Sequence, residues 1–172
     1  MDLAKEIYFR ELDDKAQLDA RLGPFVAILF AVGGLVVFLV RSAWPAPSPW
    51  SVACLVLSGI AVALFSLATF HVVRAMLGFS WARLPHSETL LEHYGKLVCY
   101  YAENPTVPGS ADDDFEAYLL HHLASTASRN GTNNLVRSAR FYRALGYLVA
   151  VIITAALAGF CLGTDLLLTA IR

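Results

Sequence analysis

The chain has 172 residues, 57% of them hydrophobic, a mean hydropathy of +0.56 and a formal net charge of −1. That length leaves room for one domain, and that apolar content argues against an ordinary soluble domain of this size. The near-zero charge hides a segregation: charged residues gather in 1–22 and 74–143, while 22–40, 52–73 and 144–164 carry none. Each uncharged window is about the 20 residues that a helix needs to cross roughly 30 Å of hydrocarbon. The expectation is an all-α membrane protein with an N-terminal amphipathic helix, three transmembrane helices and a cytoplasmic helical hairpin.

In chain order, residues 1–22 read as a short amphipathic helix: Leu3, Ile7, Phe9, Leu12, Ala16 and Leu18 recur at near-helical spacing, with Asp13, Asp14, Lys15 and Asp19 opposite. Six acids stand among the four bases of this stretch, unlike the basic start of a cleaved signal peptide, so none is expected. Gly23-Pro24 is predicted to break or kink the chain at the membrane boundary. A transmembrane hairpin over 23–79 follows, with spans of about 23–41 and 51–74. Its connection holds Pro45, Pro47 and Pro49, a stiff extended link, flanked by the interfacial aromatics Trp44 and Trp50.

The polar region 80–141 comes next. Pro85 precedes a helix start at Ser87 or Thr89, where Thr89 with Glu92 would form a capping box. Leu90, Leu91, Tyr94, Leu97, Val98 and Tyr101 make the predicted apolar face, and 104–110, with Pro105, Pro108 and Gly109, is a turn. From Asp112 to Gly163 no proline interrupts the chain. Phe115, Tyr118, Leu119, His122 and Leu123 fall at helical spacing, a basic section follows over 129–143, and a third membrane helix occupies 142–172. If helical throughout, 112–163 would extend about 78 Å, with Gly131, at a helix penalty of about 1 kcal/mol, as its hinge.

Lysines and arginines set the expected orientation. Eleven lie in 1–22 and 74–143, and only Arg41 and Arg172 lie on the other side. The excess places the N-terminus and the helical region in the cytoplasm and the C-terminus outside, in a bacterial inner membrane. Cys54 and Cys161 sit in apolar spans and Cys99 in a cytoplasmic helix, which is no disulfide scaffold.

Catalytic and metal signatures are missing. There is no Gly-x-Ser-x-Gly, Walker loop or His-Glu-x-x-His. His86 and His93 lack further ligands at zinc spacing, and the adjacent His121 and His122 point about 100° apart on a helix. Asp112-Asp113-Asp114 complements a helix N-terminus without further duty. The reading is therefore a non-enzyme with no metal and no cofactor. The basic section has more to offer: Arg129, Asn133, Arg137, Arg140 and Arg143, with Lys96, could converge in an oligomer to hold a nucleotide or an oligonucleotide backbone. Positive-inside anchoring explains the same arginines. Within the spans, Gly33-Gly34, Gly59 with Ala63, and Ala155, Gly159 and Gly163 suit close helix packing. Ser58, Ser66, Thr69, His71 and Thr154 are the side chains available to line a multi-subunit pore, and Asp165 could ring its mouth.

The run Lys5-Glu6-Ile7-Tyr8-Phe9-Arg10-Glu11-Leu12, with Leu18-Asp19-Ala20-Arg21-Leu22, resembles small membrane effectors of bacterial antiphage defence systems. Phe115-Glu116-Ala117-Tyr118-Leu119, followed by Ser128-Arg129-Asn130 and Arg137-Ser138, looks like their cytoplasmic segment. The pattern is similar to the effector of the Hailong system, and more loosely to SLATT-type effectors, whose two-span plan the third span exceeds. In the Hailong system a nucleotidyltransferase makes single-stranded DNA oligomers that hold an oligomeric membrane effector silent. The resemblance implies a homo-oligomer, set here at a tetramer. It would act as a gated ion-conducting or membrane-depolarising effector in phage defence, under a nucleotide or oligonucleotide signal. The alternative is a non-conducting membrane anchor or scaffold that recruits a soluble partner through its helical region.

Overall fold

The structure, a computed structural model, describes residues 2–44, 48–77 and 79–171. Among them stand four helices and no strand: α1 (Asp2–Ala43), α2 (Pro49–Met76), α3 (Ser87–Glu103) and α4 (Ala111–Ile171). Three of these, α1, α2 and α4, are long and apolar enough to cross a membrane, so the chain is compatible with a multi-pass membrane protein. The predicted proline link at Pro45 and Pro47, and Arg172, lie outside the described residues. Two compact units divide the chain. An apolar unit comprises Leu18–Gly78 and Val136–Arg172, and a polar unit comprises Met1–Gln17 and Phe79–Leu135.

In the apolar unit every helix buries residues three and four apart. The series is Leu18, Leu22, Phe25, Leu29, Val36 and Leu39 on α1, and Phe141, Ala144, Leu148, Val151, Ala155 and Ala158 on α4. On α2 it is Ser51, Cys54, Ser58, Ala61, Ala68, Val72 and Ala75, nearly all small. That alternation is the seam of a coiled coil. Small side chains on α2 let its neighbours approach closely, and close approach is what holds helices together where lipid removes the hydrophobic drive. Gly33 serves the same end, because a Cβ there would stand 3.0 Å from the Phe65 ring. At the start of α2, Pro49 occupies the first turn and Ser48 and Ser51 exchange backbone-to-hydroxyl hydrogen bonds of 3.0 Å, a capping box.

The predicted break at Gly23-Pro24 does not occur; α1 runs through both residues. Leu22 and Phe25 on either side are buried, while Pro24 is exposed, so packing holds the helix and the ring faces outward.

The polar unit has a thinner core. Tyr8, Leu123 and Ala127 are buried, with Ala4, Ile7, Leu12 and Leu84 packed against them. Helix α3 begins at Ser87, but His86 at its N-cap makes no side-chain cap bond, and the expected Thr89–Glu92 box gives way to a Glu92–Lys96 ion pair of 2.7 Å. The hydrogen bond and charge of Lys96 hold the Glu92 carboxyl below its ordinary range. No residue of α3 is buried. Of its predicted apolar face, Leu90, Tyr94, Leu97 and Tyr101 are half-buried, whereas Leu91 and Val98 are exposed and His93 takes a place on the inward side. His93 lies 4.1 Å from the Tyr118 ring and Tyr94 lies 5.1 Å from Phe115, centroid to centroid. The Tyr94 and Tyr101 hydroxyls donate to Asp112 and Asp114 at 2.8 Å, which raises both phenol pKa values.

Helix α4 is continuous over 61 residues, including Gly131. There, a Cβ would stand 3.1 Å from Glu11 Oε1, so the glycine makes room for a carboxylate on α1.

Candidate functional site

The basic section of α4 keeps the register of the buried seam. Leu123, Ala127, Asn130 and Asn134 in the polar unit, then Arg137 and Phe141 in the apolar unit, are all buried at alternating steps of four and three. Amides and a guanidinium thus take positions that a coiled coil gives to leucine. Burial of such groups is costly unless each finds partners; all three side chains make hydrogen bonds, although Asn134 Oδ1 is buried without one among the described residues.

In the polar unit, Asn130 is fully buried. Its Nδ2 donates to the Ala82 carbonyl and its Oδ1 accepts from the Ala82 N–H, both at 3.1 Å. One helix turn away, Asn133 Nδ2 donates to the Ser80 carbonyl at 3.1 Å and Arg129 donates to the Ser80 hydroxyl at 3.3 Å. Asn134 Nδ2 donates to both the backbone carbonyl and Oε2 of Glu11 at 2.9 Å. These side chains therefore fasten the strandless segment 79–86 and the first turns of α1 to α4.

In the apolar unit, the arginines close the end of α2. The last carbonyls of a helix lack intrahelical donors and carry its negative dipole end. Arg137 Nε donates to Ala75 O at 2.9 Å and Arg140 donates to Arg74 O at 2.6 Å, while Leu77 N–H takes Val73 O at 2.9 Å. Arg137, only 4% exposed, also pairs with Asp19.

The six residues proposed for ligand binding thus fall into separate settings. Arg129 and Asn133 meet at Ser80, and Arg137 and Arg140 meet at the last turn of α2. Arg143 is exposed, and Lys96 sits on α3 with Glu92. Asp19, Glu11 and the Ala75 carbonyl are partners that the sequence reading missed. The available signal was the spacing of Asn130, Asn134 and Arg137, which matches that of Ala144, Leu148 and Val151.

The pore-lining candidates do not share one face of their helices. Ser58 is fully buried in the α2 seam, whereas Ser66 is exposed on the outer side of the same helix. The hydroxyls of Ser66, Thr69 and Thr154 donate to the carbonyls of Val62, Phe65 and Ala150, one turn back, at 2.7–2.9 Å. His71 stacks on Tyr147 with 5.5 Å between centroids. Among the small residues, Ala155 is buried and Gly159 lies near Leu39, while Gly59 and Ala63 are exposed.

Charge divides with the units. The polar unit has twelve acidic against six basic side chains, a formal −6, and the apolar unit two acidic against seven basic, a formal +5. No group of three His, Cys, Asp or Glu able to hold a metal occurs among the described residues. No protein-family model, curated protein or solved structure matches this chain.

Proposed function

We propose that this chain is a multi-pass protein of a bacterial inner membrane that assembles with copies of itself, a tetramer being the working number, into a gated, membrane-depolarising effector of phage defence. The N-terminus and the polar unit, with its amphipathic first turns and its α3–α4 hairpin, face the cytoplasm, following the bias of lysine and arginine. The observation that carries the reading is α4: one helix, 61 residues long, bears both the polar clamps and a membrane seam. A cytoplasmic nucleotide or single-stranded DNA oligomer, supplied by a nucleotidyltransferase, shifts the assembly by binding its closed and open states unequally. Recording from purified protein in planar bilayers is expected to give a conductance that such a ligand alters. Silence at every oligomeric state removes the reading.

A specific observation favours a second reading, a non-conducting anchor that recruits a soluble protein. Arg129, Asn133, Arg137 and Arg140 already serve their own chain, and a polar unit of −6 suits a basic partner better than a polyanion. The exposed Arg143 separates the two. Arg143→Glu is expected to change ligand response or cell toxicity in the effector, and to leave membrane potential untouched in the anchor.

A further inference from the structure

We propose that the apolar unit holds one anionic phospholipid where α2 ends, with its phosphate on Arg74, Arg140 and Arg143. This rests on the membrane placement proposed above, and on neither self-association nor conduction.

Helices α2 and α4 run antiparallel at this end. Arg140 donates to Arg74 O at 2.6 Å, and farther into the unit His71 stacks on Tyr147, ring centroids 5.5 Å apart. Arg143 lies three residues from Arg140 and four from Tyr147, so it stands on the same side of α4. On α2 the matching side reads Arg74, then His71 with Phe70 beside it at 5.5 Å, then the exposed Leu67. Charge thus gives way to rings and then to aliphatic surface within about 10 Å of helix. A phospholipid presents the converse order along its length: phosphate, glycerol ester, acyl chain.

The charge here is unanswered within the unit. Arg74 and Arg143 are exposed, and their guanidiniums make no hydrogen bond or ion pair among the described residues. The apolar unit has two acids. Asp19 pairs with Arg137, and Asp165 stands about 33 Å farther along α4 than Arg143. The negative end of α2 does not repel an anion, because Arg137 and Arg140 already cover its last carbonyls. Attraction to a charged leaflet needs arginines only at this level, whereas these three come from two helices and share one side. Guanidiniums recognise any phosphate. The exposed Phe70 and Leu67 next to them commit the site to an amphiphile rather than a soluble anion.

Full-length protein is expected to float with phosphatidylcholine vesicles. Failure to float overturns the membrane placement and this site with it. In detergent, native mass spectrometry should show one phosphatidylglycerol retained per chain, about tenfold or more over phosphatidylcholine. Arg74→Gln with Arg143→Gln, both exposed, should erase that preference, while Arg41→Gln, exposed near the far end of α1, should keep it. Equal retention of the two lipids overturns the site and spares the membrane placement. So does a preference that survives the double variant or falls equally with Arg41→Gln. Tighter retention of a short single-stranded DNA than of phosphatidylglycerol, lost in the double variant, overturns it in favour of a soluble polyanion.

Discussion

The apolar and polar units solve the same packing problem by different means. In the apolar unit, three helices interlock small and branched side chains along continuous seams, and Ala61, Ala68, Ala144 and Ala158 lose all contact with the surroundings. The polar unit buries three hydrophobic residues in its cluster and none on α3, and relies on amides and tyrosines to fasten its pieces. Close packing resists small displacements, because dispersion falls away over fractions of an ångström. The tyrosine hydrogen bonds are exposed and exchange readily with water. The comparison therefore assigns rigidity to the apolar unit and responsiveness to the polar one, which is where a partner or a signal would act.

The strongest way to break that contrast is to remove the charged cap in the otherwise apolar unit. Arg137→Gln leaves Ala75 O and the half-exposed Asp19 without their guanidinium and is expected to cost about 2–4 kcal/mol in unfolding from detergent. Arg137→Lys should not restore it, since an ammonium cannot reproduce the fork. An unchanged unfolding midpoint would show that packing alone holds this end of α2.

In the polar unit, Asn130→Ala orphans both the N–H and the carbonyl of Ala82, at about 2–4 kcal/mol. Hydrogen exchange should quicken over 79–86, and unaltered exchange there would mean the clamp is dispensable. A smaller effect sharpens the packing side: Ala68→Leu overfills a fully buried seam position at about 1–3 kcal/mol, while Ala63→Leu, on an exposed face, should be near neutral. Equal thermal stabilities for the two would refute the seam.

The smallest effect belongs to the tyrosines. The raised phenol pKa values mean that folding favours the protonated forms of Tyr94 and Tyr101. Their contribution is full below the unfolded value of about 10 and is lost as pH rises through the higher folded values. Fluorescence or exchange of α3 should thus loosen only in strong alkali, and Tyr94→Phe with Tyr101→Phe should abolish that pH dependence.

Much of this was legible in residue order. The three uncharged windows mark the three apolar helices, and the proline-free run after Pro108 marks α4. The start of α3 at Ser87 was within reach of the signal from Pro85, and so was most of its facing, since Leu90, Tyr94, Leu97 and Tyr101 are half-buried. Leu91 and Val98 fit that stripe by spacing better than His93 does by polarity, and only the positions of Phe115 and Tyr118 bring His93 inside and leave the two aliphatic side chains out. Gly23-Pro24 carries a local breaking signal that the burial of Leu22 and Phe25 overrides. Gly131 is similar: read alone it is a hinge, and beside Glu11 it is a space.

The basic section divides along the same line. Its sequence determined that amides and guanidiniums would stand on α4 just before its long apolar stretch, because side-chain chemistry and helical period are local properties. Which partners they take was decided by tertiary structure. The last carbonyls of α2 and the backbone of Ala82 come from far along the chain, and only folding brings an unsatisfied acceptor to the arginine or asparagine that completes it.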